Sequence, residues 1–181
     1  MRIIGGQWRG RKLDFPDALA LRPTANRVRE TLFNWLGQRL DGQDCLDLFA
    51  GSGALGFEAA SRGARSVCLV ESNPRVIESL QEAKRQLSAE QCEIVRADAN
   101  QFLGASRRRF DVVFVDPPFE SGQLDAILKC LPGVLKADGR VYVEWGEAID
   151  AAADPDAWSI LRQSRAGVVH FALLQPTARS C

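Results

Sequence analysis

Between residues 45 and 145, short runs rich in Val, Ile, Leu and Phe alternate with segments of helical periodicity. This alternation is typical of β-α units built around a parallel sheet. The run FDVVFV at residues 110–115 is almost continuously apolar, as expected for a central strand buried on both faces. The pattern predicts strands over residues 45–50, 66–71, 92–96, 110–116 and 140–145, and helices over 54–62, 74–87 and 123–131.

Two further β-like runs follow this alternation. An acidic, alanine-rich stretch, 146–156, matches no motif, and the runs at 158–161 and 168–174 come after it. Two consecutive runs of this kind predict an antiparallel hairpin that closes the sheet. The predicted class is therefore α/β, with a mostly parallel sheet.

The first 44 residues have a different character. Three glycines punctuate a short basic segment, and a helical apolar stripe then follows, formed by Val28, Leu32, Leu36 and Leu40 with Trp35. We predict an N-terminal extension, residues 1–44, on a single domain, residues 45–181, whose size is ordinary for one domain.

Charge is distributed unevenly along a chain whose net charge is zero. Residues 1–40 hold eight basic and three acidic residues, so the remaining chain carries an excess of five negative charges. A basic arm on an acidic body is most often kept to bind a polyanion such as nucleic acid. A solvated, arginine-rich surface is the alternative explanation.

The cysteines and the hydropathy of the chain indicate in which cellular compartment the protein is expected. The five cysteines are scattered, and none forms a C-x-x-C pair, which favours neither a disulfide framework nor a metal site. No apolar run approaches the roughly 18 to 20 residues that span a bilayer, and the first ten residues lack an apolar signal region. We expect a soluble, cytoplasmic protein without a metal.

A glycine-rich loop joins the first predicted strand to the next helix, in the sequence DLFAGSGALG at residues 47–56. Glycines allow a sharp turn and close approach of a ligand, and the helix start offers unpaired N–H groups. Glu71 ends the next strand 20 residues after Gly51, where a carboxylate can accept hydrogen bonds from both ribose hydroxyls. The spacing fits a nucleoside cofactor, either nicotinamide or S-adenosylmethionine.

Two aspartates narrow the choice of cofactor. Asp47 precedes the loop, where a carboxylate disfavours a pyrophosphate but could hold the ammonium group of S-adenosylmethionine directly or through water. Asp98 follows the third strand and could bond an adenine amino group. Asp98 could equally be a helix N-cap, and both roles can hold together.

The fourth strand runs directly into Asp116-Pro117-Pro118-Phe119. Two prolines make a rigid elbow whose carbonyls can accept hydrogen bonds. The Asp116 carboxylate and the Pro117 carbonyl suit the two protons of an exocyclic amine, while Phe119 can stack on the base. Such acceptors favour a pyramidal nitrogen whose lone pair points at a sulfonium methyl. A simple turn is the alternative, although ligands bind open α/β sheets at this end of the strands.

These motifs, together with Arg22-Pro23-Thr24 and the segment RVRETLFNWL at residues 27–36, resemble the RsmD family of bacterial 16S ribosomal RNA guanine-N2 methyltransferases. The resemblance covers nearly the whole chain. It implies a Rossmann-like, seven-stranded S-adenosylmethionine-dependent methyltransferase fold and catalysis at Asp116, Pro117, Pro118 and Phe119. The implied cofactor contacts are Asp47, Phe49, Gly51, Ser52, Gly53, Glu71, Ser72, Asp98, Ala99 and Asp116.

The same resemblance implies that the basic N-terminal segment holds 16S ribosomal RNA, within the small subunit or its assembly intermediate. The candidate RNA contacts are Arg9, Arg11, Lys12, Arg22, Thr24, Arg27 and Arg29, of which about half should reach phosphates while the others pair with the acidic body. We expect a monomer.

Two other functions remain open on the sequence. A DNA adenine-N6 methyltransferase would share the Asp-Pro-Pro-Phe chemistry, but the chain is too short for a separate target-recognition domain. A non-catalytic RNA-binding assembly module would keep the fold alone, and the presence of Glu71, Asp98 and Asp116 weighs against it. The acceptors at Asp116 and Pro117 suit the amine of guanine, adenine or cytosine alike.

Overall fold

A computed structural model describes residues 1–13, 26–118, 124–147, 149 and 153–177. Its helices are α1 (Asn26–Trp35), α2 (Ala54–Ser61), α3 (Pro74–Leu87), α4 (Ala99–Ala105) and α5 (Leu124–Cys130), the last followed by a 3-10 turn, Leu131–Val134. Its strands are β1 (Asp44–Asp47), β2 (Ser66–Glu71), β3 (Cys92–Arg96), β4 (Phe110–Val115), β5 (Leu135–Trp145), β6 (Trp158–Ala166) and β7 (Val169–Pro176).

The seven strands form one sheet in the order β3-β2-β1-β4-β5-β7-β6. Strands β1 to β5 pair in parallel, whereas β7 runs antiparallel to both β5 and β6. The predicted α/β class, with a mostly parallel sheet and an antiparallel C-terminal hairpin, is confirmed. Strand order reverses between β1 and β4, which is where open α/β sheets place their ligands.

Side chains of the central strands alternate between two buried layers. Phe114 and Tyr142 face the layer that contains α1 and the N-terminal segment, while Val113 and Val143 face the other layer. Both faces of β4 are therefore covered, which explains its nearly continuous apolar sequence.

Several element bounds differ from the sequence prediction. Helix α1 ends at Trp35 because the chain turns at Gly37, whose φ is +93°. The last turn is closed by the Gln38 N–H, which donates to the Phe33 carbonyl at 2.7 Å. Leu36 and Leu40 are nevertheless buried, so their apolar spacing reflects packing beyond the helix.

The other differences lie in strand and helix length. β1 is shorter than predicted and β5 is longer, while the short helix α4 follows Asp98, for which the sequence offered a helix N-cap role but no helix range. Helix α3 begins where the sequence suggests, with the Asn73 side chain accepting a hydrogen bond from the Arg75 N–H at 3.0 Å and Pro74 in the first helical position.

The N-terminal segment, residues 1–13, is anchored on α2 by Glu58. This carboxylate is fully buried and accepts hydrogen bonds from the backbone N–H groups of Ile4 and Gly5 at 2.8 and 2.7 Å. Arg62 adds an ion pair to Glu58 at 2.9 Å. The segment thereby contributes Ile3 and other side chains to the same core as the sheet.

Candidate active site

The loop after β1 lies at the carboxyl end of the sheet, fixed between two neighbouring strands. The Leu48 N–H donates to the Phe114 carbonyl on β4, and the Ala50 N–H donates to the Val70 carbonyl on β2. Gly53 then starts α2 with φ at +71°. A Cβ atom at this position would lie 2.5 Å from the Phe57 ring, so both the backbone angle and the packing require glycine.

Asp47 ends β1 beneath this loop and is only 2% exposed. Its Oδ2 accepts a hydrogen bond at 2.9 Å from the Gly56 N–H, one of the donors that a helix start leaves without an intrahelical partner. A Cβ at Gly56 would lie 3.1 Å from the same oxygen, so glycine permits the approach. Burial raises the pKa of Asp47 to about 7, and the charges of Asp116 and Glu71 act in the same direction.

Glu71 reaches from the end of β2 back to the loop. Its Oε2 accepts from the Gly51 N–H at 3.0 Å, and its Oε1 accepts from the Ser72 and Asn73 N–H groups, both at 2.8 Å. These bonds use three of the carboxylate's roughly four acceptor positions. The side chain is held in one orientation, half-buried, with acceptor capacity left for a ligand hydroxyl.

The other predicted cofactor contacts lie at the same end of the sheet. Asp98 caps α4 through Oδ1, which accepts from the N–H groups of Asn100 and Gln101 at 2.9 and 3.2 Å. The cap does not use Oδ2, so a ligand contact stays compatible with it. Phe49 and Ser52 are half-buried, Ser72 is exposed and Ala99 is buried.

The Asp-Pro-Pro elbow leaves the carboxyl end of β4. Asp116 is half-buried, Pro117 is buried and Pro118 is exposed. Strand β4 pairs with both β1 and β5, so the elbow lies beside the ends of these two strands. The charge of Asp116 raises the pKa values of Asp47 and Tyr142. Phe119 lies outside the described residues.

Four acidic side chains line one face of this edge. Leu69, Asp47, Phe114 and Tyr142 are paired across β2, β1, β4 and β5. Because side chains alternate along a strand, residues two positions further along β2, β4 and β5 belong to the same face. Together with Asp47, those residues are Glu71, Asp116 and Glu144, and we call the four the carboxylate row.

Glu144 was not predicted as a site residue. It is 5% exposed, and its Oε1 accepts a hydrogen bond from the buried Tyr142 hydroxyl at 2.9 Å. An acidic residue within an apolar run, VYVEW at 141–145, is the signal that could have found it, since buried carboxyl groups are costly and cluster at functional sites.

Known proteins are similar in sequence to this chain over almost its whole length. The family described as conserved hypothetical protein 95 matches residues 1–175. The ribosomal RNA small subunit methyltransferase D of Escherichia coli (strain K12) is 44% identical over 181 residues, covering 99% of this chain and 91% of that relative. The chain belongs to the RsmD family.

Two further comparisons agree with this assignment. The Haemophilus influenzae protein of the same name as the Escherichia coli relative is 40% identical, covering 97% of this chain and 93% of its own. The solved structure of yhhF, proposed to be a methyltransferase of Escherichia coli, has 44% identity and a TM-score of 0.89, covering 99% of each chain. The Rossmann-like fold is thus that of RsmD-family methyltransferases.

One predicted RNA contact of this RsmD-family chain needs correction. Arg29 is 2% exposed, and its Nη2 donates to the Arg2 carbonyl at 2.8 Å and to Asn26 Oδ1 at 2.7 Å. Its Nη1 lies 3.5 Å from Glu58 Oε2. The guanidinium is committed inside the fold, because it joins α1 to the N-terminal segment, and it does not face a phosphate.

The remaining predicted RNA contacts lie in two described parts of the chain, the N-terminal segment and α1. Arg9, Arg11, Lys12 and Arg27 are exposed, while Arg22 and Thr24 lie outside the described residues. Arg11 donates to the Gln86 carbonyl at the end of α3, far along the helix from the loop. The start of the segment is nearer, since Ser52 Oγ lies 3.8 Å from Met1 Sδ.

A second group of cations lies at the other end of the sheet. Arg107 and Arg109 are exposed just before β4, at the opposite end of that strand from Asp116, and Arg108 pairs with Glu93 at 2.7 Å.

Within the described ranges, no helix is long and apolar enough to cross a membrane.

Proposed function

We propose that this RsmD-family chain transfers a methyl group from S-adenosylmethionine to the exocyclic N2 amine of a guanine in 16S ribosomal RNA. The observation that carries the proposal is the position of Asp47, Glu71 and Asp116 at the carboxyl ends of the adjacent parallel strands β1, β2 and β4, at the reversal point of the sheet. A cofactor cradle and an amine-binding elbow thus adjoin one another.

The residues at this edge fit S-adenosylmethionine. Glu71 retains acceptor capacity for a ribose hydroxyl, and Asp98 Oδ2, which the helix cap does not use, would accept a hydrogen bond from an adenine amino group. The loop at Gly51, Ser52 and Gly53 admits a ligand against its backbone. The cofactor carries an ammonium and a sulfonium and no phosphate, so the carboxylate row complements its charge. When bound, it supplies an electrophilic methyl group on sulfur.

Asp47 supports the cofactor mainly by shaping the loop. Its carboxyl is held under the start of α2 by the Gly56 N–H, and its low exposure favours action on the ammonium through water or through the field over direct contact. In its ionised form, this carboxylate would stabilise a positively charged group bound at the loop.

Asp116 and Pro117 act on the methyl-accepting base. An exocyclic amine is a weak nucleophile because its lone pair is delocalised into the ring. Two acceptors on its N–H groups favour a pyramidal nitrogen and direct the lone pair at the methyl carbon. Asp116 then stabilises the positive charge that develops on nitrogen and receives or guides the departing proton.

Two considerations support ribosomal RNA as the substrate. Relatives that this chain matches over nearly its full length are named ribosomal RNA small subunit methyltransferase D, and guanine N2 is the target that the RsmD resemblance implies. Residues 1–44 act as an RNA-holding extension of the domain 45–181, with Arg9, Arg11, Lys12 and Arg27 as exposed cations. An enzyme that methylates RNA of the small ribosomal subunit is expected in the cytoplasm.

Methyl transfer to defined nucleic acids tests the proposal. Labelled S-adenosylmethionine is offered with undermethylated small-subunit particles, naked 16S RNA, large-subunit RNA and DNA. We expect label in small-subunit material alone, lost in Asp116→Ala and retained in the control Asp138→Ala, an exposed position on β5. Comparison of particle with naked RNA identifies the form of the substrate.

The alternatives have distinct outcomes. Label in adenine of DNA would replace the proposal with a DNA methyltransferase. Tight binding of S-adenosylmethionine and RNA without transfer to any substrate would indicate the non-catalytic assembly module.

A further inference from the structure

The β6–β7 hairpin ends at the same edge of the sheet as the Asp-Pro-Pro elbow. Strand β7 runs antiparallel to both β5 and β6, so the turn between β6 and β7 lies at the carboxyl ends of the parallel strands. In register, Trp145 at the end of β5 lies opposite His170, and His170 lies opposite Arg165. The tip of the hairpin therefore reaches the edge at which Asp116 leaves β4.

The hairpin and the start of the N-terminal segment lie on opposite sides of the elbow. The sheet order places β1 on one side of β4 and the strands β5, β7 and β6 on the other, and Met1 lies near Ser52 in the loop after β1. Neighbouring strands are about 4.8 Å apart, so β7 and β6 lie roughly 10 and 14 Å from β4. A few nucleotides of RNA on either side of a base at the elbow would span these separations.

The hairpin tip is a tight, exposed turn. Ala166 and Val169 pair across the two strands, which leaves Gly167 and Val168 as the only two residues of the loop. Gly167 has a φ of +63°, the positive angle that two-residue hairpin turns require at their first central position. Val168 is 69% exposed. The turn holds the tip in a defined place while leaving it open to a ligand.

Arg165 is anchored across this tip by its own backbone. Its Nε donates to the Gly167 carbonyl at 2.6 Å, and the residue is exposed. Among the described residues, its two Nη groups have no hydrogen-bond or ion-pair partner. A guanidinium held in this way has lost part of its freedom before binding, and its remaining N–H groups match the oxygens of a phosphate.

The hairpin is positively charged on an acidic body. Residues 157–177 contain Arg162 and Arg165 and no acidic side chain, whereas residues 41–156 hold 12 basic and 20 acidic residues. Arg162 is also exposed, and its Nη1 donates to the Leu161 carbonyl at 2.9 Å. A local excess of arginine beside the substrate edge complements the charge of a nucleic-acid backbone.

Protection of an edge strand is the other reason for such charges. Strand β6 is at the edge of the sheet, and charged side chains on an edge prevent pairing with a second copy of the chain. That role needs charge anywhere along β6. Arg165 instead lies at the end of the strand nearest the elbow, with its guanidinium fixed over the turn, which favours a ligand at the tip.

We propose that the tip of the β6–β7 hairpin is a second RNA contact, in which Arg165 binds a backbone phosphate close to the methyl-accepting guanine and Arg162 extends the contact along β6. This inference rests on the proposed function. Neither arginine touches the reacting atoms, so the pair contributes to RNA affinity and placement and leaves the chemical step to the elbow.

The salt dependence of RNA binding tests the contact. The probe is undermethylated small-subunit material, as particle or as naked 16S RNA, in the form that the wild type methylates. The double change Arg162→Gln with Arg165→Gln should raise Kd for this RNA and reduce the log–log salt slope by about one to two units. Raising the salt from about 50 to 200 mM should therefore weaken the wild type roughly tenfold more than the double variant. The affinity for S-adenosylmethionine and kcat at saturating RNA should not change.

Arg107→Gln with Arg109→Gln is the matched control, because it removes two exposed arginines at the opposite end of the sheet. It should keep the Kd and the slope of the wild type. An unchanged slope in the test variant, or an equal change in the control, overturns the inference while wild-type methylation continues. A test variant that dimerises on sedimentation and binds RNA as the wild type does would assign the arginines to edge protection. Absence of RNA binding and methylation by the wild type overturns the proposed function instead.

Crosslinking locates the tip on the RNA independently of affinity. A photoreactive phenylalanine analogue in place of the exposed Val168 should crosslink to nucleotides within a few positions of the methylated guanine. The same analogue in place of Arg107 is the control and should give no crosslink there. In a protein that still methylates, crosslinks from position 168 that are absent, or no closer to the target than those from position 107, overturn the inference.

Discussion

Arg29 on α1 and Glu58 on α2 form a buried ion pair, with 3.5 Å between Nη1 and Oε2. Glu58 also accepts the backbone N–H groups of Ile4 and Gly5. One carboxylate therefore ties together a helix, the N-terminal segment and the domain that holds the carboxylate row.

Replacement of Glu58 by alanine should destabilise the protein severely. Arg29 would be left as a buried charge with reduced compensation, and two backbone donors would lose their acceptor, which together cost about 3 to 5 kcal/mol. A loss of that size lowers Tm by roughly 6 to 20 °C in a chain of this length. Thermal unfolding checks it, with the exposed Glu78→Ala on α3 as control; equal Tm values for the two variants would contradict the account.

Asp47→Asn should stabilise the protein in a pH-dependent manner. The pKa of Asp47 is raised from its ordinary 3.8 to about 7 by burial, so its contribution to folding is fully present below pH 3.8 and is lost as pH rises through about 7. Asparagine does not ionise, so the free energy of unfolding of the variant does not fall in this way. In the wild type the fall amounts to at most about 4 kcal/mol. The Tm difference between variant and wild type should grow from pH 4 to 7 and then level off.

Asp138→Asn, at an exposed position, is the control. Its Tm difference from the wild type should not grow between pH 4 and 7. An equal stability difference between the Asp47→Asn variant and the wild type at pH 4 and at pH 8 would contradict the raised pKa of Asp47.

Gly53→Ala should impair both folding and binding of S-adenosylmethionine. The added Cβ would meet the Phe57 ring at 2.5 Å, in a backbone conformation with φ at +71°, and such strain costs about 1 to 3 kcal/mol. Calorimetric titration should show weaker cofactor binding, because the start of α2 must shift. Gly104→Ala, with no atom within 4 Å of the new Cβ, should bind as the wild type does.

The exposed cations of the N-terminal segment should govern RNA affinity. The triple change of Arg9, Arg11 and Lys12 to glutamine should raise KM for the RNA substrate and flatten its salt dependence, by about one unit of log–log slope for each phosphate that is no longer neutralised. The affinity for S-adenosylmethionine should not change. Arg107→Gln with Arg109→Gln serves as the control at the opposite end of the sheet, and an equal effect from this control would remove the special role of the segment.

Much of the fold was predictable because local signals agree with the final packing. The continuous apolar run of β4 identifies a strand covered on both faces, and Asn73 with Pro74 marks the start of α3. The glycine loop and the elbow at Asp116 follow their strands directly, so their placement at one edge of the sheet could be inferred from topology.

Other features depend on contacts between distant parts of the chain. The apolar spacing continues through Leu36 and Leu40, although the backbone leaves the helix at Gly37. A sum of charges cannot separate the buried Arg29 from the exposed Arg27. The position of Glu144 next to Asp116 became apparent only once β4 and β5 were seen in register.

The identity of the methylated nucleoside tests the central claim most directly. Undermethylated small-subunit RNA is treated with wild-type protein and labelled S-adenosylmethionine, digested to nucleosides and separated by chromatography with mass detection. We predict that the label appears in N2-methylguanosine and that Asp116→Ala yields none. Label in another nucleoside, or an undiminished yield from Asp116→Ala, would contradict the assignment of the elbow as the amine-binding site.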